Sequence, residues 1–501
     1  MKRCPECRRD YVDDSLLYCL EDGVALVQGS VPPSDEPETA ILHETAGAGV
    51  AATRAQHHAT NETAVFPDQS SQISKRPIDK RLIAAPILIA LAVLVGLAGY
   101  RYLYSIGTSQ IHAIAVLPFQ NRSGTNDNDY LSDGLAESLI YRLSQLPNLK
   151  VSPTNSVMRF KSDQTDVGKI ASALDVDAVM FGRLDQRGDD LTIGVELIDA
   201  RTNKVIWAEQ YDRKMADLIA TQREIATTIT QKLELKLSGE EAKGITKKYT
   251  DSNEAYRHYL QGRFYWNKRT VDGNAKAIEQ FKAAIEADPN FALAYSGLAD
   301  GYLLSQYLSR RWQGDYNFPA ARENATRAIQ LDASLAEPHA ALGLINQQTW
   351  RWDEADKEFK TAISMNPNYA TAHHWYSRYL RIMGRFDEGL AEITKAQEAD
   401  PLSMVIAENV VQNLLEKGDI EAAVSQCKRT MELEPQFWII HTRLAAAYLD
   451  SGQKDQALAE ASKATEIVKG ATIAMQKLGY MQGMAGRREC SARSILCQTA
   501  S

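Results

Sequence analysis

Cysteine is scarce, six in 501 residues, and too scattered for the disulfide framework of a small secreted protein. Basic excess is missing as well: the net charge is −8, so no broad positive surface advertises nucleic acid as a partner. Also absent are a phosphate-binding glycine loop, an HExxH pair, a nucleophile elbow and a kinase motif set. These absences argue against an enzyme. Charge is missing in one further place, from Leu82 to Tyr100, where Leu, Ile, Val and Ala dominate.

That stretch organises the rest of the chain. Residues 82–104 form a run long enough, at about 1.5 Å per residue, to cross a hydrocarbon core about 30 Å thick. Tyr100, Tyr102 and Tyr104 suit the far interface, while Lys75, Arg76, Lys80 and Arg81 crowd the near side. A buried core helix is the alternative. The expected arrangement is a single-span bacterial inner-membrane protein, with residues 1–81 cytoplasmic and the C-terminal domains extracytoplasmic.

Cys4-Pro-Glu-Cys7 sets two thiolates two residues apart, a spacing that grips a tetrahedral metal. Cys19 and Asp22 follow, and the segment 1–27 resembles half-size zinc ribbons, with Asp22 where a fourth cysteine stands. The resemblance implies structural zinc held by Cys4, Cys7, Cys19 and Asp22; a redox CxxC is the competing reading. Residues 28–81 have the composition of a disordered linker. Within it the triplet Glu-Thr-Ala recurs, which makes Thr39 and Thr63 candidate phosphorylation sites, against plain repetition in an Ala/Thr-rich segment.

Beyond Ile111 the pattern alternates. Ile114–Phe119 reads as a buried strand, Asp129–Leu146 and Val167–Leu174 as helices and Val176–Leu184 as a strand. Leu191–Ile198 and Lys204–Tyr211 read as a hairpin, and Met215–Leu237 as a closing helix. Asp133 is expected to cap or start a helix turn, Asp199 to sit in the hairpin, and Trp207 to be core. Residues 114–121, 130–137, 197–200, Trp207, 211–213 and 222–226 together make 111–237 resemble the small α/β domain of the TolB N-terminus. In related proteins that domain lies outside the membrane and is followed by helical repeats. An effector precedes it inside, as in CadC-like regulators and bacterial receptor Ser/Thr kinases.

Pro367, Pro401 and Pro435 recur every 34 residues, the period of tetratricopeptide (TPR) repeats. Leu342-Gly343, Ala355, Phe359, Ala362 and Pro367 reproduce the family pattern within one repeat, and Gly262, Tyr265, Ala277, Phe281, Ala284 and Pro289 within an earlier one. An all-α superhelix over 254–486 follows, with a groove lined by the first helix of each pair. The resemblance places Glu337, Leu344, Gln347, His374, Arg378 and Arg381 in that groove, together with Glu408, Gln412 and Thr442. His374, Arg378 and Arg381 make a basic spot suited to an acidic or C-terminal peptide; the alternative is an ordinary solvated face. His339, His373 and His441 stand at one repeat position and are read as packing rather than metal ligands. Residues 487–501 break the repeat pattern and form an irregular tail, as a frameshift or truncation would leave.

The expected fold class is therefore multidomain: a zinc ribbon, one transmembrane helix, a TolB-N-like α/β domain and a TPR superhelix. The function these parts imply is protein–protein interaction in envelope sensing, signalling or assembly. The alternative is an effector-less relative of the receptor kinases or regulators, acting through a partner in trans.

Overall fold

The computed structural model describes residues 2–3, 10–11, 27–28, 111–123, 129–308, 317–468 and 472–484. Cys4, Cys7, Cys19, Asp22, Thr39, Thr63, the run 82–104 and the tail 487–501 lie outside the described residues. Among the described residues no helix is long and apolar enough to cross a membrane, and no cluster of His, Cys, Asp and Glu could hold a metal ion. The chain divides into two compact units, Met1–Ile89 and Ala90–Ser501. In the first, strands β1 (Lys2–Arg3), β2 (Asp10–Tyr11) and β3 (Val27–Gln28) pair antiparallel in the order β2-β1-β3.

The second unit opens with a mixed sheet. Strands β4 (Ala113–Val116), β5 (Gln120–Asn121), β6 (Lys150–Val151), β7 (Ala178–Arg187), β8 (Asp190–Asp199) and β9 (Lys204–Lys214) run in the order β6-β4-β7-β8-β9, with β5 beside β7. β4 is parallel to β6 and β7, whereas β7, β8 and β9 are antiparallel. β4 is buried along its whole length, as an apolar strand covered on both faces should be. β8 alternates instead, packing Leu191, Ile193, Val195 and Leu197 inward. Gly182 is required where β7 passes Phe119: a Cβ there would lie 2.2 Å from the ring.

Helices α1 (Asp129–Ser144), α2 (Thr154–Val157), α3 (Val167–Leu174), α4 (Leu218–Lys232) and α5 (Gly239–Thr246) accompany the sheet. The closing helix is shorter than its pattern suggested, because residues 215–217 form a 3-10 turn ahead of Leu218. Asp133 does not cap a helix. It sits inside α1, buried, with Lys161 2.7 Å from its carboxylate. Asp199 does close the hairpin, accepting from the backbone N–H of Arg201 at 2.9 Å, and Trp207 is in the core.

Among the described residues six helix pairs and a further helix follow. The first helices are α6 (Asn253–Asn267), α8 (Ala292–Leu308), α10 (Ala336–Gln348), α12 (Ala370–Ile382), α14 (Met404–Lys417) and α16 (Trp438–Asp450). Their partners are α7 (Val271–Ala287), α9 (Phe318–Leu331), α11 (Trp352–Met365), α13 (Phe386–Ala399), α15 (Ile420–Leu433) and α17 (Lys454–Ile467); α18 (Thr472–Met484) comes last. Within two of the pairs a glycine meets a large ring. A Cβ on Gly343 would lie 2.7 Å from Phe359, and one on Gly262 2.6 Å from Phe281, so only glycine lets these helices close.

A second device recurs with the same period. His339, His373 and His441 each turn Nδ1 toward a glutamate 19 residues on: Glu358 at 2.6 Å, Glu392, and Glu460 at 2.6 Å. In two of them Nε2 donates to the carbonyl of the proline before the helix, Pro367 at 2.9 Å and Pro435 at 3.2 Å. Each histidine therefore ties first helix to second, and His373 and His441 add the preceding turn. In the first repeat His258 meets Gln280 at 2.7 Å in the same way.

Candidate functional site

The α/β domain and the connector after it ride along the turns that join one pair to the next. Thr250 bonds Asp288, and Lys247 reaches Asp332 at 2.6 Å. Asn368 donates to the carbonyls of Pro147 at 3.3 Å and Leu149 at 3.4 Å. Ser156 bonds the buried Asp400, and Arg159 pairs with Glu434 at 3.2 Å. Asp332, Asn366, Asp400 and Glu434 recur every 34 residues as the C-caps of successive second helices. Five consecutive turns are thus touched, one after another.

Between this contact and the first helices lies a cavity of about 1060 Å³. One wall is α1, residues 151–159 and α6; the other is the inner face of α8, α10, α12 and α14. Of the groove positions read from sequence, Glu337, His374, Arg378, Arg381 and Gln412 line it. Leu344, Gln347, Glu408 and Thr442 do not. Leu344 and Gln347 are buried in the repeat packing, Glu408 is ion-paired with Arg443, and Thr442 bonds the carbonyl of Ile439 at 2.7 Å. Sequence reasoning missed the opposite wall: Glu137, Tyr141, Tyr249, Tyr256, Tyr259, Arg263, Trp266 and Arg269. Nothing in a repeat pattern signals it, because these residues come from α1, from the connector at Tyr249, and from α6 and the turn that follows it.

The electrostatics are those of a partly dry site. Arg263 Nε donates to Glu137 at 2.6 Å, its Nη1 lies 3.6 Å from Asp300, and Asn267 donates to the other Glu137 oxygen at 2.8 Å. Burial would lower the pKa of Arg263, but Glu137, Tyr259 and Asp300 outweigh it and hold it well above the ordinary value. Burial pushes Asp300 up to about 6 despite Arg263 and Arg269, and Glu337 up to about 7. His374 goes the other way, down to about 4, through burial and the neighbouring Arg378 and Arg381. Arg269 lies over the Trp266 ring at 3.5 Å, and its pKa falls to about 10, chiefly through burial. Among the described residues three buried polar atoms on the wall have no hydrogen-bond partner, Trp266 Nε1, Glu337 Oε2 and Arg381 Nε. Such a wall can recognise a polar, partly charged ligand.

Two family models match this chain. Residues 109–228 match the HilA/YgeH-like transcriptional regulator, second domain; residues 414–478 match the tetratricopeptide repeat. "Putative adenylate cyclase 3" of Rhizobium meliloti is 32% identical over 247 residues, 49% of this chain and 42% of that protein. "Transcriptional regulator HilA" of Salmonella typhimurium is 23% identical over 297 residues, 58% of this chain and 51% of that protein. The chain spans about half the length of the curated relatives it matches, or less. Among solved structures, PilW, a type IV pilus biogenesis factor, is 20% identical with a TM-score of 0.37, covering 42% of this chain and 93% of that one. YrrB, a TPR protein with an unusual peptide-binding site, is 20% identical with a TM-score of 0.31, covering 40% and 97%.

Proposed function

We propose that this chain is a non-enzymatic, single-span membrane protein whose α/β–TPR unit receives a protein or peptide outside the inner membrane. It passes that state to the N-terminal segment for envelope sensing, signalling or assembly. TPR superhelices mediate protein–protein interactions, and the observation that carries the reading is the cavity between the superhelix and its own α/β domain. A ligand there touches both parts at once, so it can bias their contact. In this reading Cys4, Cys7, Cys19 and Asp22 hold a structural zinc in the cytoplasmic ribbon.

A photo-crosslinking residue in place of Val405, an exposed side chain on the cavity wall, tests the reading in intact bacterial cells. Discrete adducts that vanish when Arg378 is replaced are the expected result; cells without any ligand-dependent adduct would remove it. Protease added to spheroplasts tests the topology, since a C-terminal tag outside the membrane is lost without lysis. A second reading is favoured by the two relatives. Their printed names give different outputs, a cyclase and a transcriptional regulator, yet about half of each or less is shared with this chain. The shared half then works as an input module, and here its effector is supplied in trans. Recovery of a kinase or of polymerase subunits through residues 1–81 would favour that reading.

A further inference from the structure

A stack of helix pairs has two edges. The turns between pairs are taken up by the α/β domain and its connector, at Asp332, Asp400 and Glu434. The opposite edge, where the two helices of a pair join, carries the exposed apolar side chains of Trp350, Ile382 and Met383. Trp350 is the odd residue there. Its ring is 76% exposed and its backbone is left-handed (φ 62), where Gly384, Gly418 and Gly452 occupy the later turns. A side chain at such a position works against the backbone, and strain of this kind gathers at functional surfaces.

The ring extends an apolar strip across two repeats. Trp350 meets Trp352 edge to face, 5.4 Å between centroids, and Trp352 lies 6.3 Å from Tyr379 on α12. Ile382 and Met383 come one helical turn after Tyr379, with 48% and 43% of their surfaces exposed. The strip is also polarised. On its α9 side the pKa of Arg322 is lowered by burial and then by the charge of Arg351, against Glu354 and Glu358. On its α12 side burial, Asp356 and Asp353 raise the Tyr379 hydroxyl, against Arg385. Arg351 and Asp353 are both exposed, and among the described residues neither forms an ion pair.

That charge order selects the occupant. A wholly acidic partner would meet Asp353, and a wholly basic one would meet Arg351 and Arg322. A second copy answers both signs, because a two-fold axis through the Trp350 ring turns the Arg351 side of one strip onto the Asp353 side of the other. We propose that two copies of this chain pair through this edge, Trp350 against Trp350, with Arg351 of each facing Asp353 of the other. Tryptophan and arginine are among the residues that most often carry the binding energy of such contacts. The pairing leaves the cavity untouched, so it stands apart from the reading of the cavity as a receiving site.

The test is sedimentation equilibrium of the full chain in density-matched detergent. A reversible monomer–dimer equilibrium is expected. Trp350→Gly weakens it by at least about tenfold, with no lower thermal midpoint in dilute solution. Arg351→Glu and Asp353→Arg each weaken it as well, since each sets like charges face to face twice over. An equimolar mixture of these two variants pairs again, because every reversed charge then meets an opposite one, and that recovery shows both variants to be folded. A monomer at every concentration overturns the proposal and leaves the edge to a different protein. A dimer that Trp350→Gly does not weaken, or a mixture that stays apart, overturns it too.

Discussion

Replacing Arg263 with methionine is expected to destabilise the second unit by about 3 kcal/mol, toward the lower end of the range for breaking a buried ion pair. The guanidinium stands 2.6 Å from Glu137 and 3.6 Å from Asp300, and only 21% of its side-chain surface is exposed. At an effective dielectric constant of about 20, a charge pair 4 Å apart is worth about 4 kcal/mol. Methionine returns the packing of the aliphatic stem but leaves Glu137 and Asp300 without the guanidinium that pairs with both, Arg269 remaining as the other cation acting on them. Asn267 still donates to Glu137 at 2.8 Å, which is why the loss should not reach the top of that range. Equilibrium urea unfolding gives the number, and a nearby tryptophan, Trp266, reports it by fluorescence. The companion variant Glu137→Gln, alone and combined with Arg263→Met, should show that the two losses overlap rather than add. A loss below about 1 kcal/mol, or full additivity, would mean that the pair is solvated and that α1 is not clamped to α6 by charge.

Three further outcomes follow from the same geometry. Glu337, raised to about 7, keeps its proton to higher pH when folded than when unfolded, so its stabilising contribution is complete below about pH 4.5 and fades as pH rises through 7. The difference in urea stability between the natural chain and Glu337→Gln should therefore fall by on the order of 2–3 kcal/mol between pH 5 and pH 8, and a flat difference refutes the assignment. Gly343→Ala should cost about 1–3 kcal/mol by overpacking Phe359, with partial recovery in the double variant carrying Phe359→Leu, read as thermal midpoints. Trp350 has a left-handed backbone (φ 62) and is 76% exposed, at a repeat position where Gly384, Gly418 and Gly452 stand in later repeats. Trp350→Gly should thus raise stability by about 1 kcal/mol; a lower midpoint would show that the edge-to-face contact of the ring with Trp352, 5.4 Å between centroids, outweighs the backbone cost.

The elements of the second unit were legible because their signals are local. The prolines every 34 residues fix the turns, and Gly343 against Phe359 fixes how closely a pair approaches. The hairpin 191–211 announces itself by alternation and by Asp199. The site was half legible. Glu337, His374, Arg378, Arg381 and Gln412 follow from repeat position, whereas Leu344, Gln347, Glu408 and Thr442 share the pattern yet turn into the packing. The opposite wall depends on a contact between segments more than two hundred residues apart, such as Ser156 with Asp400, and periodicity carries no record of that. One clue was available and unread: the His…Glu spacing of 19 residues, repeated in three pairs, which marks the helix-to-helix ties directly.

Solenoids commonly evolve by gaining or losing whole units, because each unit touches only its neighbours. Contacts to five successive turns forbid that freedom here. Inserting or deleting one 34-residue unit between Asp332 and Glu434 would carry every later turn about one helix-pair width past its docking residue. The α/β domain acts as a vernier scale that counts repeats, so natural or engineered recombination should succeed only at the two outer ends of the cassette. Array length, elsewhere the most variable property of such proteins, is here under the same selection as a core residue.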